Sequence, residues 1–436
     1  MRARQSKPKL LQAMLDAFSL PDLRRRILIT LGILVIFRFV AHVPLPGVDL
    51  SALQQLFERN ALLGMLDLFS GGAMRRLSVA AMGVYPYITA SIIMMLLVPV
   101  IPRLQALSRE GEEGRNKINL ITHWAVVPLA AVQGYGQLAF FRSQGVVSSV
   151  ELLSTVATVA AMVAGTMFLV WLGELITQYG IGNGISIIIF GGIVAGFPQM
   201  IAQGFLAKEN FGGLLIYLLI VLATMVVIVI FTEAQRRIPV QYARSVFRGG
   251  RMYKQSGTSH IPLRVNSAGM IPLIFAMSVV LFPGIVASYF VNPAEPGFAD
   301  TVARVFSPSA ALPLGFFYWG FYFLLAVGFT FFYTMVVYQQ QDLPGVLQRQ
   351  GGFIPGIRPG KNTATYLNNV INRITWAGAL FLAGVAVMPF AARQISNVQA
   401  IQLSSLGLII MVGVVLDTMK QLEAQLVMRR YEGFIK

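Results

Sequence analysis

The residues that could do chemistry are few, and they are scattered. The chain holds three histidines, His42, His123 and His260, and no cysteine. The histidines fall in different loops or span ends, so no metal set is apparent, and thiolate ligands and disulfides are ruled out. No G-x-x-x-x-G-K-[ST] is present to cradle a nucleotide's phosphates, and no H-E-x-x-H to hold zinc. An ion-coupled transporter keeps Asp, Glu or His near mid-bilayer. Here Glu174 and Asp417 fall near the inner ends of apolar runs, and Arg38 lies within a few turns of an outer end. No carboxylate pair occupies the middle of a run. The expectation is a protein that uses no cofactor and is not an enzyme, and whose substrate is not gripped by charge.

What the sequence supplies instead is isoleucine. Val84 and Ile88 are four apart, as are Ile185 and Ile189, so each pair shares one helical face. Such residues ordinarily fill a bundle or face lipid. Turned into a pore, they would form a constriction that cannot replace an ion's hydration shell and that gates by dewetting. Just before the first pair stands LLGMLDLFSGGAM (62–74), too short to cross a bilayer and loosened by Gly71 and Gly72. After Arg75 and Arg76 an apolar run continues from Leu77 to Ile101 with Pro86 in its interior. A short piece followed by a full span marks backbone that lines a cavity rather than lipid. The segment 62–75 is therefore expected to plug a pore that the following run walls.

Composition sets the frame for these residues. The chain is 56% hydrophobic and only 12% charged, with a net charge of +16. Apolar stretches of membrane-spanning length recur throughout, which predicts an all-α polytopic membrane protein. They do not alternate with period two, which excludes a transmembrane barrel. Ten spans are expected, near 24–43, 77–101, 118–141, 152–177, 184–206, 211–232, 266–291, 312–338, 370–392 and 398–420. Twenty-five Lys and Arg lie in the loops and termini on one side and six on the other, which puts both termini in the cytoplasm. Residues 1–23 are basic, and Leu11, Met14, Leu15 and Phe18 have the spacing of a surface amphipathic helix stopped by Pro21. The first apolar run has no small-x-small cleavage site and is expected to remain attached.

Five spans precede the 207–210 turn and five follow it, so the halves 24–206 and 207–420 are inverted relative to each other around a central passage, with a cytoplasmic tail at 421–436. Two cytoplasmic loops exceed the length of connectors. The 233–265 loop carries seven Lys and Arg against Glu233, interleaved with Tyr242, Phe247 and Tyr253; the 339–369 loop contains GGFIPGIRPGKNT. Basic residues among aromatics suit RNA phosphate or an acidic protein face, besides their part in setting topology.

Four long motifs then resemble one family. FSGGAMRRLSVAAMGVYPYITASII (69–93), GIGNGISIIIF (180–190), VNSAGMIPLIF (265–275) and GGFIPGIRPGKNT (351–363) occur in the order found in the SecY family, the channel subunits of the Sec protein translocon. EGEEGR (110–115) and the ten-span layout also fit, so the resemblance covers nearly the whole chain. It implies a protein-conducting channel of the bacterial inner (plasma) membrane, closed by a ring of apolar side chains: Val84, Ile88, Ile185, Ile189, Ile274 and Ile410. Family rings are mostly isoleucine, so Val84 shortens one member. The plug would include Leu66, Phe69, Ser70, Gly71, Gly72 and Met74, and a lateral gate toward membrane lipid would involve Pro86, Ile92, Asn266 and Pro272, the prolines weakening their helices. The implied partners are SecE and SecG subunits, the SecA ATPase, the ribosome, and signal sequences with the unfolded polypeptide they lead. Arg248, Arg251, Lys254 and Arg358 are the expected docking cations. A secondary transporter of a small solute is the rival reading; it lacks the mid-membrane charge and has no use for the two long loops.

Overall fold

The structure is a computed structural model, and it describes residues 20–59, 63, 67, 70–147, 151–206, 211–248, 251–288, 297–307, 313–396 and 405–432. The predicted amphipathic segment and the plug candidates Leu66 and Phe69 lie outside these residues. In chain order the helices begin with α1 (Pro21–Val40), α2 (Leu50–Arg59), α3 (Tyr85–Val100), α4 (Pro102–Arg109), α5 (Glu112–Ser143), α6 (Leu152–Tyr179) and α7 (Gly184–Leu206). After α8 (Phe211–Glu233) come strands β1 (Gln235–Arg248) and β2 (Arg251–Arg264). Helices α9 (Ile271–Ser288), α10 (Phe298–Val305), α11 (Leu314–Gln341) and α12 (Leu343–Arg349) follow, then β3 (Gly352–Phe353), α13 (Lys361–Ser396) and α14 (Ser405–Glu432).

A helix overlaps part of each of the ten predicted stretches. Among the described residues four stretches are long and apolar enough to cross a membrane, at Leu152–Tyr179, Leu215–Glu233, Leu314–Arg349 and Lys361–Ser396, and the bent pair α3–α4 makes a fifth. Shorter apolar helices lie at Gly184–Pro198 and Ile271–Gly284. Their outer faces are apolar: Leu152 is 80% and Phe39 73% exposed, as side chains that meet lipid must be.

Two expectations change. The run from Leu77 is not helical until Tyr85, because Leu77 adopts a left-handed backbone (φ 41°) and Gly83 another (φ 56°). Non-helical backbone there finds other partners: Leu45 N–H donates to Leu77 O at 3.0 Å and Val79 N–H to Val43 O at 3.0 Å. Pro86 and Pro272 consequently do not interrupt helices. Each is the second residue of its helix, where its missing N–H leaves no bond unmade, so both start α3 and α9 rather than weaken them. The real break is at Ile101, held extended (ψ 114°) before Pro102, where α3 and α4 meet at 97°.

The second change is that the chain is not wholly α. The 233–265 loop is an antiparallel hairpin, and Gln241 and Tyr242 of β1 pair with Phe353 and Gly352, giving sheet order β2-β1-β3. The two long loops are therefore one small domain. Its base follows period two: Ile238 and Val240 point inward while Arg237 and Pro239 stay exposed. Those inward residues and Leu263 pack with Leu347 of α12, Ile354, and Leu367 and Ile371 of α13.

The chain divides into two compact units, residues 1–211 with 399–436, and residues 212–398. Within the first, α5 packs between α3 and α6, α7 lies on α6, and α1 rests on α6 and α7. The last helix, α14, also belongs here: it packs on α7, and Leu422 joins Leu23 and Ile181 in a common core. Within the second, α11 lies between α9 and α13.

Candidate plug, ring and docking surface

Between α2 and α3, Ser70, Met74 and Arg75 gather around one carboxylate. Asp67 is only 5% exposed. Its Oδ1 accepts from the Ser70 hydroxyl (3.0 Å), the Met74 N–H (3.1 Å) and the Arg75 N–H (3.3 Å), while Oδ2 lies 2.9 Å from Arg75 Nε. Ser70 Oγ accepts in turn from Met74 N–H at 3.0 Å. Burial pushes the Asp67 carboxyl above its ordinary range; the Arg75 guanidinium and the hydrogen bonds oppose that shift without cancelling it. Met74 and Leu63 enter an apolar core with Leu45, Leu53, Leu77, Met82 and Phe141.

Two neighbours seat this segment. Gly71 has φ +67°, and a Cβ there would stand 2.7 Å from the Gly192 Cα of α7 and 2.8 Å from Cζ of Phe37. Only glycine allows that backbone shape and that approach. Arg38 of α1 donates from Nη1 to the Gly71 carbonyl at 2.6 Å. Gly72, at φ +85°, completes the turn.

Of the ring candidates, Val84, Ile189, Ile274 and Ile410 are buried, and Ile88 and Ile185 are half-buried. Val84 caps α3, and its carbonyl accepts from Ile88 N–H at 3.1 Å, so the spacing of four survives although Val84 lies outside the helix. Ile185 packs on Gly173 of α6, whose missing side chain makes room for it. The glycine-rich start of α7 is tied down on both sides: Ile181 N–H donates to Thr30 Oγ1 of α1 (3.2 Å), and Gly182 N–H to Gln421 Oε1 of α14 (3.0 Å). Asn183 caps the helix by accepting from Ser186 N–H at 3.1 Å. Five of the six candidates stand in the first unit and Ile274 in the second.

Among the gate candidates, Pro86, Ile92 and Pro272 are buried and Asn266 is half-buried in the turn before α9. The Asn266 Oδ1 is sequestered from solvent with no hydrogen-bond partner among the described residues. Beside it, Ser267 Oγ and the Tyr338 hydroxyl are 2.8 Å apart, binding that turn to α11.

For docking, Arg248 pairs with Arg251 at the far end of the hairpin and Lys254 pairs with Ser245 along it. Arg358 is exposed on the turn after β3, and its carbonyl accepts from Thr363 Oγ1 at 3.0 Å. The β1–β3 pairing thus brings both basic stretches to one sheet. Sequence reasoning had passed over Asp67, Phe37 and Gly192 and had not joined Arg38 to the plug. A lone acid inside an apolar stretch was the available signal for the first, while the others depend on a close approach that no local pattern encodes.

Comparisons with known proteins follow the same features. The SecY family model matches residues 78–419. A relative named protein translocase subunit SecY, from Streptomyces scabiei, is 42% identical over 449 aligned residues, covering 98% of this chain and 100% of that protein. A solved structure described as "The structure of a protein conducting channel" superimposes with a TM-score of 0.64 at 16% identity, over 93% of each chain. Another, "Sec61 in the Canine ribosome-channel complex from the endoplasmic reticulum", gives 0.63 at 15% identity, again over 93% of each. At such identities the structural likeness is one of fold.

Proposed function

The chain belongs to the SecY family, and from that premise we propose how its residues divide the work of a protein-conducting channel. It is a multi-pass plasma-membrane protein, a subunit of a translocase, that moves polypeptides across the membrane. Both termini are cytoplasmic, and the halves 24–206 and 207–420 enter the membrane in opposite senses. Val84, Ile88, Ile185, Ile189, Ile274 and Ile410 form the apolar ring through which an unfolded secretory chain threads. Methyl-bearing side chains part around the substrate and, when idle, leave ions no substitute for their water.

Segment 62–75 is the plug on the outer side of that ring. The observation that supports this reading is the Asp67 knot, with Gly71 set against Phe37 of α1 and Gly192 of α7. Signal sequences and membrane segments leave toward lipid past Pro86, Ile92, Asn266 and Pro272. The unsatisfied Asn266 oxygen supports a role where polar and apolar surroundings meet. SecE and SecG are the partner subunits, and force comes from SecA or a translating ribosome. Both dock on the β2-β1-β3 sheet through Arg248, Arg251, Lys254 and Arg358.

The natural absence of cysteine makes the test clean. Single cysteines at Ile88, Ile189 and Ile274, opposite a cysteine in a secretory chain stalled partway, should each form a disulfide only when the stalled chain is present. No cross-link at any of the three would sink the ring assignment.

A further inference from the structure

An arginine inside an apolar helix needs a reason to be there, since a charge in the hydrocarbon region is costly unless it finds a partner. Arg38 sits two residues from the end of α1, next to the fully buried Phe37. The two side chains meet the same glycine. Phe37 Cζ lies where a Cβ on Gly71 would come within 2.8 Å of it, and the Arg38 guanidinium donates to the Gly71 carbonyl at 2.6 Å. Bonds to a charged donor are the stronger kind.

The geometry points to Arg38 as the positioning residue that latches the plug closed, acting through the main-chain carbonyl of Gly71. This rests on the plug reading above. Because the acceptor is backbone, the latch depends on the conformation at Gly71 rather than on any plug side chain. Two charges act on it: the Asp67 carboxylate attracts Arg38, and the Arg76 guanidinium, just past the end of the segment, repels it. Asp67 leaves with the plug, so a displaced plug carries away the acceptor and the attracting charge together.

The test uses the intact complex reconstituted in lipid vesicles, with ion leak of the idle channel and export of a passenger bearing a defective signal as readouts. Arg38→Ala should raise both by about tenfold or more, the loss expected for one charge-assisted bond. Arg38→Met, of similar length and without a donor, should do the same and serves if the alanine variant does not accumulate. Arg38→Lys should fall between these and the parent. In a background lacking 67–76, already leaky, none of the three should add to the leak. If the deletion leaks while Arg38→Ala and Arg38→Met match the parent, the latch is wrong and the plug stands. If the deletion itself leaves the leak unchanged, the plug reading fails and takes the latch with it.

Discussion

Asp67 shows how one side chain can tie together the backbone of a short segment. Its carboxylate gathers two main-chain N–H groups, one hydroxyl and one guanidinium, and burial is the reason it needs all of them. Asp67→Ala removes the carboxylate from the Arg75 N–H and guanidinium and takes one of two acceptors from the Met74 amide and the Ser70 hydroxyl, a loss of about 1–3 kcal/mol. Amide exchange at Met74 and Arg75 should accelerate by roughly tenfold or more in that variant. Asp67→Asn keeps an acceptor oxygen and removes the buried charge, so its exchange should stay closer to the parent's. Equal protection in all three proteins would mean the knot holds nothing. Nearby, Gly192 stands one atom's width from Gly71. Gly192→Ala puts a methyl 2.7 Å from the Gly71 Cα of the proposed plug, and we expect it to raise idle leak without lowering transport of normal secretory chains. A leak equal to the parent's would show that the plug is not seated there.

Among the elements, the hairpin is the instructive miss. Seven basic residues between 233 and 265 read as a docking loop, yet Ile238, Val240 and Tyr242 recur every second residue, and the Gly249–Gly250 pair in the sequence suits a two-residue hairpin turn. The period-two signal was present and the charge count masked it. The helices were more legible, since long apolar runs permit little else, and their limits moved mainly where Pro86, Pro102 and Pro272 set starts. The pairing of β1 with β3 was out of reach, because two paired residues on a short strand carry no periodic trace. Arg358 lies on the exposed turn that this pairing anchors, so its charge can be reversed without disturbing the core. Arg358→Glu should reduce motor-driven transport severalfold while trypsin resistance of the helices is retained. Full transport at saturating and at limiting motor would remove Arg358 from the docking surface.

At the scale of the whole molecule, the units do not follow the order of synthesis. Residues 1–211 are completed by α14, which arrives after all of 212–398. Nothing in the apolar pattern of the last run distinguishes it from the others; its place is decided by Gln421 reaching the Gly182 N–H and by Leu422 joining Leu23 and Ile181. A chain ending before Ser405 should therefore lose the protease resistance of the first unit, although every residue of α1 to α7 is present. Undiminished resistance of that fragment would argue that α14 is an accessory.

The late arrival of α14 also puts a clock into biogenesis. At bacterial-like elongation of about 5–20 residues per second, the intervening unit takes roughly ten to forty seconds to make. For that interval the α14-facing side of α7 stands uncovered in the bilayer, and the Gly182 N–H waits without its glutamine. The nascent protein is thus a client before it is a machine: something, whether lipid or a chaperone of membrane insertion, must shield that face until the final helix docks.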